Sequence, residues 1–267
     1  MKVLLVSLYH PEVVRGGAQQ VCYELFEALK GVKGVQPTLL AAIDPSFPAL
    51  YKSGARITGF DGRPGEFLFL SRDYDYWWHK TGDVSVREAF AEFLLLVRPD
   101  VIHFHHFLLL GLDLLTLARR VLPEAKIVFT FHEFLTICAA DGQMVRTMDR
   151  SLCDRASSVR CHQCFPDRRP EEFFMRELWV KRHLQAVDIF TTPSKFMAEH
   201  FVNWGLERNS IVHVANGQDN YAKSFSEIAP RAKRNRIGFF GQLVDNKGIQ
   251  VLLEAVDLLR DDGFDDF

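Results

Sequence analysis

The sequence has no long uninterrupted apolar run and no excess of charge of one sign. Its 32 basic and 34 acidic residues give a formal net charge of −2, which excludes a bulk field that would draw the chain to nucleic acid or anionic lipid. The most apolar internal stretch, 104–118, carries histidines and an aspartate and is shorter than the ~20 residues of a membrane-spanning helix. We expect no transmembrane segment and no nucleic-acid partner.

An export signal and a large cysteine content are lacking too. The first residues, MKVLLV, begin like a signal peptide, but Tyr9, His10 and Pro11 interrupt the apolar run and no small-residue cleavage site follows. Five cysteines in 267 residues are too few for a disulfide scaffold. We therefore predict a cytoplasmic protein in which clustered thiols serve as metal ligands more readily than as disulfides.

The hydrophobic pattern alternates between strand-length apolar runs and helical periods. Strands are predicted at 2–8, 37–43, 101–104, 127–131, 188–192 and 211–214; helices are predicted at 17–30, 85–97, 108–121, 171–186 and after Ser194. Ser85 with Glu88 is interpreted as a capping box at the start of the second helix. Such alternation predicts an α/β fold, a Rossmann-like parallel sheet with helices on both faces.

The same pattern predicts the domain organisation. A first domain covers 1–216, with a cysteine-containing insertion at about 134–169, and the polar segment 217–235 is interpreted as a linker. A strand at 236–240 and a helix from Ile249 then restart the alternation, so 236–267 is interpreted as the first βα unit of a truncated second Rossmann-like domain. The alternative is that this unit docks on the edge of the first sheet.

Two glycine turns are candidate anion sites. Gly16 and Gly17 stand between a buried strand and a helix start, where free backbone N–H groups favour a phosphate or carboxylate. A tight packing turn explains these glycines equally well. Gly241 and Gln242 follow the later strand and precede Lys247, an arrangement that suits a diphosphate, although Lys247 by itself is only a surface lysine.

Histidines end two neighbouring strands. His103, His105 and His106 close the strand at 101–104, and His132 closes the next strand. Ligands of open α/β sheets bind outside the carboxyl ends of the strands. We predict that His105 and His132 contact substrate, that His106 lies on the opposite face, and that His103 is either structural or part of the site.

Four cysteines follow within the insertion: Cys138, Cys153, Cys161 and Cys164, spaced C-x14-C-x7-C-x2-C. A close pair plus two ligands from loops suits tetrahedral zinc. Because a single C-x2-C pair falls short of the two-pair signature, the spacing leaves two interpretations, a structural zinc site or reduced, unligated thiols. His162 is an alternative fourth ligand.

Several of these segments together resemble the retaining glycosyltransferases of family 4, which have the two-domain GT-B fold. The resemblance is carried by HPEVVRGGAQQ at 10–20, RPDVIHFHHF at 98–107, FTFHEF at 129–134, ANGQD at 215–219 and FFGQLVDNKGIQVLLEA at 239–255. The cysteine segment is similar to an insertion found in some of these enzymes.

The resemblance implies a role for each candidate residue. Gly16 and Gly17 would lie by the diphosphate of a nucleotide sugar, His105 and His132 would line the cleft near the acceptor and the transferred sugar, and Lys247 would neutralise the donor phosphates. Gln242 departs from the arginine usual in the family, which removes one cation. The family's paired glutamates would lie beyond Phe267, so we expect the 267-residue chain alone to lack transfer activity.

The resemblance thus implies sugar transfer from a nucleotide-sugar donor to a glycan or lipid-linked acceptor with retention of configuration, in cell-surface or exopolysaccharide synthesis. No redox cofactor is implied, and peripheral association with the inner face of the membrane stays open. Two alternatives remain at this point: a non-catalytic acceptor-binding module, and another nucleotide-sugar enzyme of the same fold, such as an epimerase.

Overall fold

A computed structural model describes residues 1–50, 54–217, 236–244 and 247–264. The chain divides into two compact units, Met1–Asp219 and Asn220–Phe267. Among the described residues, no helix combines the length and the apolar character needed to cross a membrane. Most of the linker predicted at 217–235 lies outside the described residues.

The first unit alternates strands and helices as the hydrophobic pattern predicts. Its first half comprises β1 (Lys2–Ser7), α1 (Gly17–Lys30), β2 (Gln36–Ile43), β3 (Ile57–Gly59), β4 (Glu66–Leu70), β5 (Tyr74–Asp75), β6 (Lys80–Thr81) and α2 (Val84–Val97). Its second half comprises β7 (Val101–Phe104), α3 (Asp113–Val121), β8 (Lys126–Thr130), α4 (Ser158–Cys164), α5 (Pro170–Leu184), β9 (Ile189–Thr192), α6 (Lys195–Trp204) and β10 (Ile211–His213).

The main sheet has eight strands in the order β10-β9-β8-β7-β1-β2-β4-β3. Every neighbouring pair is parallel except β3 and β4, which are antiparallel. Alternate residues of β1 enter different cores: Val3 and Leu5 pack with α1, whereas Leu4 and Val6 join the larger cluster. Helices therefore cover both faces, which confirms the predicted Rossmann-like class.

The connections define a switch point in the middle of the sheet. Strand β1 pairs with β2 on one side and with β7 on the other. The chain runs outward from β1 through β2 and β4 before it returns to β7. In open α/β sheets a crevice forms outside the carboxyl ends of the two strands at such a point, here after Ser7 and Phe104.

Helix α2 begins differently from the prediction. Its N-cap is Asp83, whose carboxylate accepts a hydrogen bond from the backbone N–H of Ser85 at 2.9 Å. The predicted capping box of Ser85 and Glu88 is therefore wrong. Aspartate supplies the cap because its carboxylate accepts from an N–H of the first turn, which otherwise has no partner.

Three other local predictions differ from the structure. Helix α3 begins at Asp113 rather than near Leu108, because Leu109 and Gly111 take positive φ values of 64° and 114°. Strand β4 and the edge strand β3 were not predicted. In the second unit, the described residues 236–240 form no strand, whereas the predicted helix is present as α7 (Ile249–Asp261).

Candidate functional site

The glycine turn lies beyond the carboxyl end of β1, at the start of α1. Gly16 is the N-cap with extended backbone, φ −160° and ψ 163°, and no side chain caps the helix. A Cβ atom built on Gly17 would meet nothing within 4 Å. Gly16 therefore supplies no side-chain acceptor to the first-turn N–H groups, and the space beside Gly17 is open, a geometry suited to an anionic group.

A buried hydrogen bond between His10 and Glu66 anchors the loop that leads to this turn. His10 Nε2 lies 2.7 Å from Glu66 Oε2, and the two side chains are 0% and 4% exposed. His10 Nδ1 accepts from the backbone N–H of Glu12 at 3.2 Å, so Nε2 carries the hydrogen that is donated to Glu66. Burial lowers the pKa of His10 although Glu66 opposes the shift. Local sequence patterns do not reveal this pair, because its members are 56 positions apart.

His105 and His132 meet at the carboxyl ends of β7 and β8. His105 Nδ1 lies 3.1 Å from His132 Nε2, and the rings stack with centroids 5.4 Å apart. One nitrogen must accept, so at most one ring of the pair carries a charge. Burial lowers the pKa of His132 to about 4 and that of His105 well below its ordinary value. The pair is therefore neutral near pH 7.

The two imidazoles differ in accessibility. His132 is partly exposed, whereas His105 is only 2% exposed. His105 Nε2 is buried without a hydrogen-bond partner among the described residues. His132 is thus the accessible member of the pair, and the buried His105 ring packs against it and orients it.

His103 belongs to a polar chain across three strands. Its Nε2 lies 2.7 Å from Thr130 Oγ1, which lies 2.6 Å from Thr191 Oγ1 on β9. Its ring also packs against that of His105 at 4.2 Å between centroids. The Thr130 hydroxyl is a hydrogen-bond partner for His103 within the sheet. This contact favours the structural role of His103 over a role in the site.

His106 and Glu133 form a contact that involves a residue the sequence analysis did not single out. His106 Nδ1 accepts from the N–H groups of Phe107 and Leu108 at 3.1 and 2.9 Å, so Nε2 carries the hydrogen and lies 3.7 Å from Glu133 Oε1. Burial raises the pKa of Glu133 to about 7. The sequence does contain one signal for Glu133: it directly follows His132 and so lies beyond the carboxyl end of β8, where site residues are expected.

Arg176 fixes the same loop from α5. Its guanidinium donates to the carbonyl oxygens of Leu135 and Thr136 at 2.7 and 3.2 Å, and it lies 2.9 Å from His79 Nε2. His79 is adjacent to β6 and 97 positions away in sequence. The loop that follows His132 is therefore held to two distant segments.

The second unit carries the other predicted phosphate site. Lys247 directly precedes Gly248, which is the N-cap of α7 and has φ 75° with no side-chain cap. Gln242 and Lys247 are both exposed. An ammonium group beside uncapped N–H groups is suited to phosphate, so the local geometry is compatible with the predicted role.

The four cysteines of the insertion line one cavity beside the site. All are free thiols. Within the described ranges, however, no three His, Cys, Asp or Glu side chains stand together in an arrangement that could hold a metal ion. The structure thus brings the predicted zinc ligands together without showing a formed metal centre.

The fold and the site define a Rossmann-type domain with polar groups gathered at the switch point of its sheet. The model of glycosyltransferase family 4 matches residues 15–220, and the chain belongs to that family. No curated protein matches the sequence.

Solved structures show only distant similarity. The N-terminal domain of Candida albicans trehalose-6-phosphate phosphatase is 17% identical, with 97% of this chain and 54% of that chain covered and a TM-score of 0.48. Anabaena Alr3699/HepE in complex with UDP is 12% identical, with 82% and 45% covered and a TM-score of 0.45. UDP-GlcNAc 2-epimerase of Neisseria meningitidis bound to UDP-GlcNAc is 9% identical, with 99% and 52% covered and a TM-score of 0.44. The chain spans about half the length of these structures.

Proposed function

We propose that this chain carries the acceptor-side half of the cleft of a retaining glycosyltransferase that uses a nucleotide-sugar donor. The observation that supports this proposal is the placement of two unlike groups around the switch point of a family 4 chain. An uncapped helix start at Gly16 and Gly17 follows β1, and the neutral pair of His105 and His132 follows β7 and β8.

In this proposal the N–H groups near Gly17 bind the donor diphosphate. Cleavage of a sugar–phosphate bond builds negative charge on the leaving diphosphate and oxocarbenium character on the sugar. Fixed backbone dipoles stabilise the developing negative charge without reorganisation. Lys247 of the second unit adds a positive charge, whereas Gln242 offers only an uncharged hydrogen-bonding group.

The histidine pair is assigned to the acceptor and the transferred sugar. A neutral imidazole both donates and accepts a hydrogen bond, which matches the hydroxyl groups of a glycan. His132 offers its accessible edge, and His105 orients that ring through the 3.1 Å contact. The leaving phosphate takes the acceptor proton in the displacement that we favour, so neither histidine needs to titrate.

The remaining assignments belong to the same proposal. The acceptor is a glycan or a lipid-linked sugar of cell-surface or exopolysaccharide synthesis, reached from the cytoplasm at the inner face of the membrane. A first domain over 1–216 presents the acceptor, a linker occupies 217–235, and the segment 236–267 begins the donor-binding domain.

A kinetic comparison in the complete natural protein tests this function. Transfer is assayed over a panel of UDP- and GDP-sugars with wild type, His132→Ala and a control, His213→Ala, whose exposed side chain lies on β10. We expect His132→Ala to lower kcat about 100-fold or more with little change in donor binding, and His213→Ala to leave both unchanged. Epimerisation without transfer, or unchanged kinetics in His132→Ala, would overturn the assignment.

A further inference from the structure

Four thiols from three separate segments line one cavity in the first unit. Cys138 lies in the turn after β8, and Cys153 lies in a short hairpin, where its N–H donates to the carbonyl of Met144 at 2.8 Å. Cys161 and Cys164 are both on α4. This convergence requires the folded insertion, because 14 residues separate the first two cysteines in sequence.

The local structures explain how the sulfurs reach the same place. Residues three apart on an α-helix lie on one face, so Cys161 and Cys164 point in a common direction. The hairpin is closed by an antiparallel bridge between Val145 and Leu152, which brings Cys153 back toward the turn. The fifth cysteine, Cys22, lies elsewhere, on the buried face of α1.

Positive charge surrounds these thiols. Arg146 and Arg160 line the same cavity, and the Nε atoms of both are buried without a hydrogen-bond partner in the part of the chain that the structure describes. Arg176 is also buried, and it donates to the carbonyl oxygens of Leu135 and Thr136 just before Cys138. Buried N–H donors are rarely left unsatisfied in native proteins. Other nitrogens of Arg146 and Arg160 do have partners: Arg160 pairs with Asp154 at 2.7 Å, and Arg146 donates to Gln163 at 2.9 Å. Among the described residues that line the cavity, only the two Nε–H groups are therefore buried without an acceptor.

The present side-chain arrangement is that of protonated thiols. Cys138 Sγ donates to the carbonyl of Ala140 at 3.9 Å, and Cys153 Sγ donates to the carbonyl of Arg155 at 3.2 Å. A thiolate cannot make either bond. Because zinc is bound by thiolates, both side chains turn away from these carbonyls when the metal binds.

We propose that Cys138, Cys153, Cys161 and Cys164 are the ligands of one structural zinc ion, with the guanidinium groups of Arg146 and Arg160 donating to the bound sulfurs. Binding of Zn²⁺ releases the four thiol protons and leaves a centre of net charge −2. The arginines place positive charge beside that centre, and their unsatisfied Nε–H groups gain acceptors. Four protein ligands leave no open position for water, so the ion is structural rather than catalytic.

Metal content of the 267-residue chain, purified under reducing conditions without added metal, is the first test. We expect one zinc per chain in wild type and in Cys22→Ala, and loss of zinc in Cys161→Ser and Cys164→Ser. Wild-type protein without zinc whose four thiols react at once with a thiol reagent would overturn the proposal. So would mass spectrometry that shows a disulfide among them.

Cobalt substitution keeps the test decisive if the serine variants fail to fold. Wild-type chain loaded with Co²⁺ should show strong thiolate-to-cobalt charge transfer and the d–d bands of a tetrahedral site, and zinc should displace the cobalt. Octahedral spectra without charge transfer would contradict four-sulfur ligation.

The arginine part of the proposal has its own control. Arg160→Gln should release zinc to a chelator about 10-fold faster or more, the size of effect seen when groups supporting metal ligands are removed. Arg155→Gln, whose side chain is exposed, should release zinc as wild type does. Equal release rates from the two variants would show that the guanidinium does not support the site.

Discussion

At the scale of single residues, the buried pair of His10 and Glu66 shows how a side chain outside the site supports it. Glu66 receives the Nε2–H of His10 and also lies 3.6 Å from Lys30 Nζ and 3.8 Å from an Arg63 nitrogen. The loop before Gly16 is thereby tied to β4. A buried donor that loses its acceptor costs far more than an exposed pair does.

We predict that Glu66→Ala lowers the free energy of unfolding by about 1–3 kcal/mol, since it leaves the Nε2–H of His10 buried without a partner. The matched control is Glu27→Ala, which removes an exposed partner of Lys30 and should change stability by less than about 0.5 kcal/mol. Urea unfolding measures both. Equal losses would show that burial of the pair does not determine its contribution.

The histidines also predict how stability depends on pH. Burial lowers the pKa of His103 from 6.5 to about 4, so between these values the unfolded chain binds a proton that the folded chain does not. The histidine contribution is therefore fully favourable above pH 6.5 and is lost as pH falls toward 4. Glu133, with its pKa raised from 4.5 to about 7, contributes in the opposite sense: stability from its carboxyl falls as pH rises through that window.

A difference measurement isolates His103 from these other groups. Urea unfolding is measured at pH 7 and pH 5. On acidification the free energy of unfolding should fall less in His103→Gln than in wild type. The difference is up to about 2 kcal/mol, because pH 5 lies 1.5 pH units below the ordinary pKa of 6.5. His213→Gln, on the exposed end of β10, should behave as wild type. An unchanged pH dependence in His103→Gln would show that His103 titrates normally in the folded protein.

At the scale of elements, the residue at a helix start decides whether the first-turn N–H groups are capped or available to a ligand. Helix α1 begins with glycines and no side-chain cap, which leaves its N–H groups available for a ligand. Helix α2 is capped by Asp83 and α6 by Ser194, whose hydroxyl accepts from the N–H of Met197 at 3.1 Å. The contrast follows from side-chain chemistry, because glycine carries no acceptor.

We predict that Asp83→Ala destabilises the protein by about 1 kcal/mol through loss of the cap, and that it also removes the partly buried pairing with Arg56. Asp83→Asn retains an acceptor at the same place and should cost less, and Ser85→Ala should cost least, because Ser85 is not the cap. Thermal unfolding ranks the three variants. A Ser85→Ala loss that exceeds the Asp83→Ala loss would restore the capping box predicted from the sequence.

At the scale of the whole molecule, one apolar cluster joins the large face of the sheet to its helices. It includes residues from β1, β2 and β4 and continues through β7, β8 and β9 to α6. Near its end Phe201 of α6 stacks on Phe131 with centroids 3.7 Å apart. Because these contacts form one continuous core, we expect Met1–Asp219 to unfold in a single cooperative transition.

Two phenylalanines of α6 test this expectation. Phe201 is fully buried, whereas Phe196 is 67% exposed. Phe201→Ala should lower stability by about 3–5 kcal/mol and shift the far-UV and near-UV transitions together; Phe196→Ala should change stability by less than about 0.5 kcal/mol. Separate transitions in Phe201→Ala would show that α6 and its strands form an independent unit.

The sequence by itself determined the class of fold and the edge of the sheet that carries the site. Alternation of apolar strands with amphipathic helices depends on local periodicity, and a parallel sheet must bury both faces of its strands. Placing His105 and His132 together required only that β7 and β8 end at the same edge. Failures at the local level, such as α2 and α3, arose where a single cap or a positive φ moved a helix start.

Only the tertiary structure decided the strand order and the partners of the polar residues. His10 meets Glu66, Arg176 meets His79, and His103 meets Thr130 through contacts 27 to 97 positions apart. Such pairings depend on which elements pack together, and local periodicity carries no information on them. For the same reason the cysteine spacing left zinc and free thiols equally open. The fold then placed four sulfurs and two arginines around one cavity, and the Nε atoms of both arginines lack a hydrogen-bond partner among the described residues.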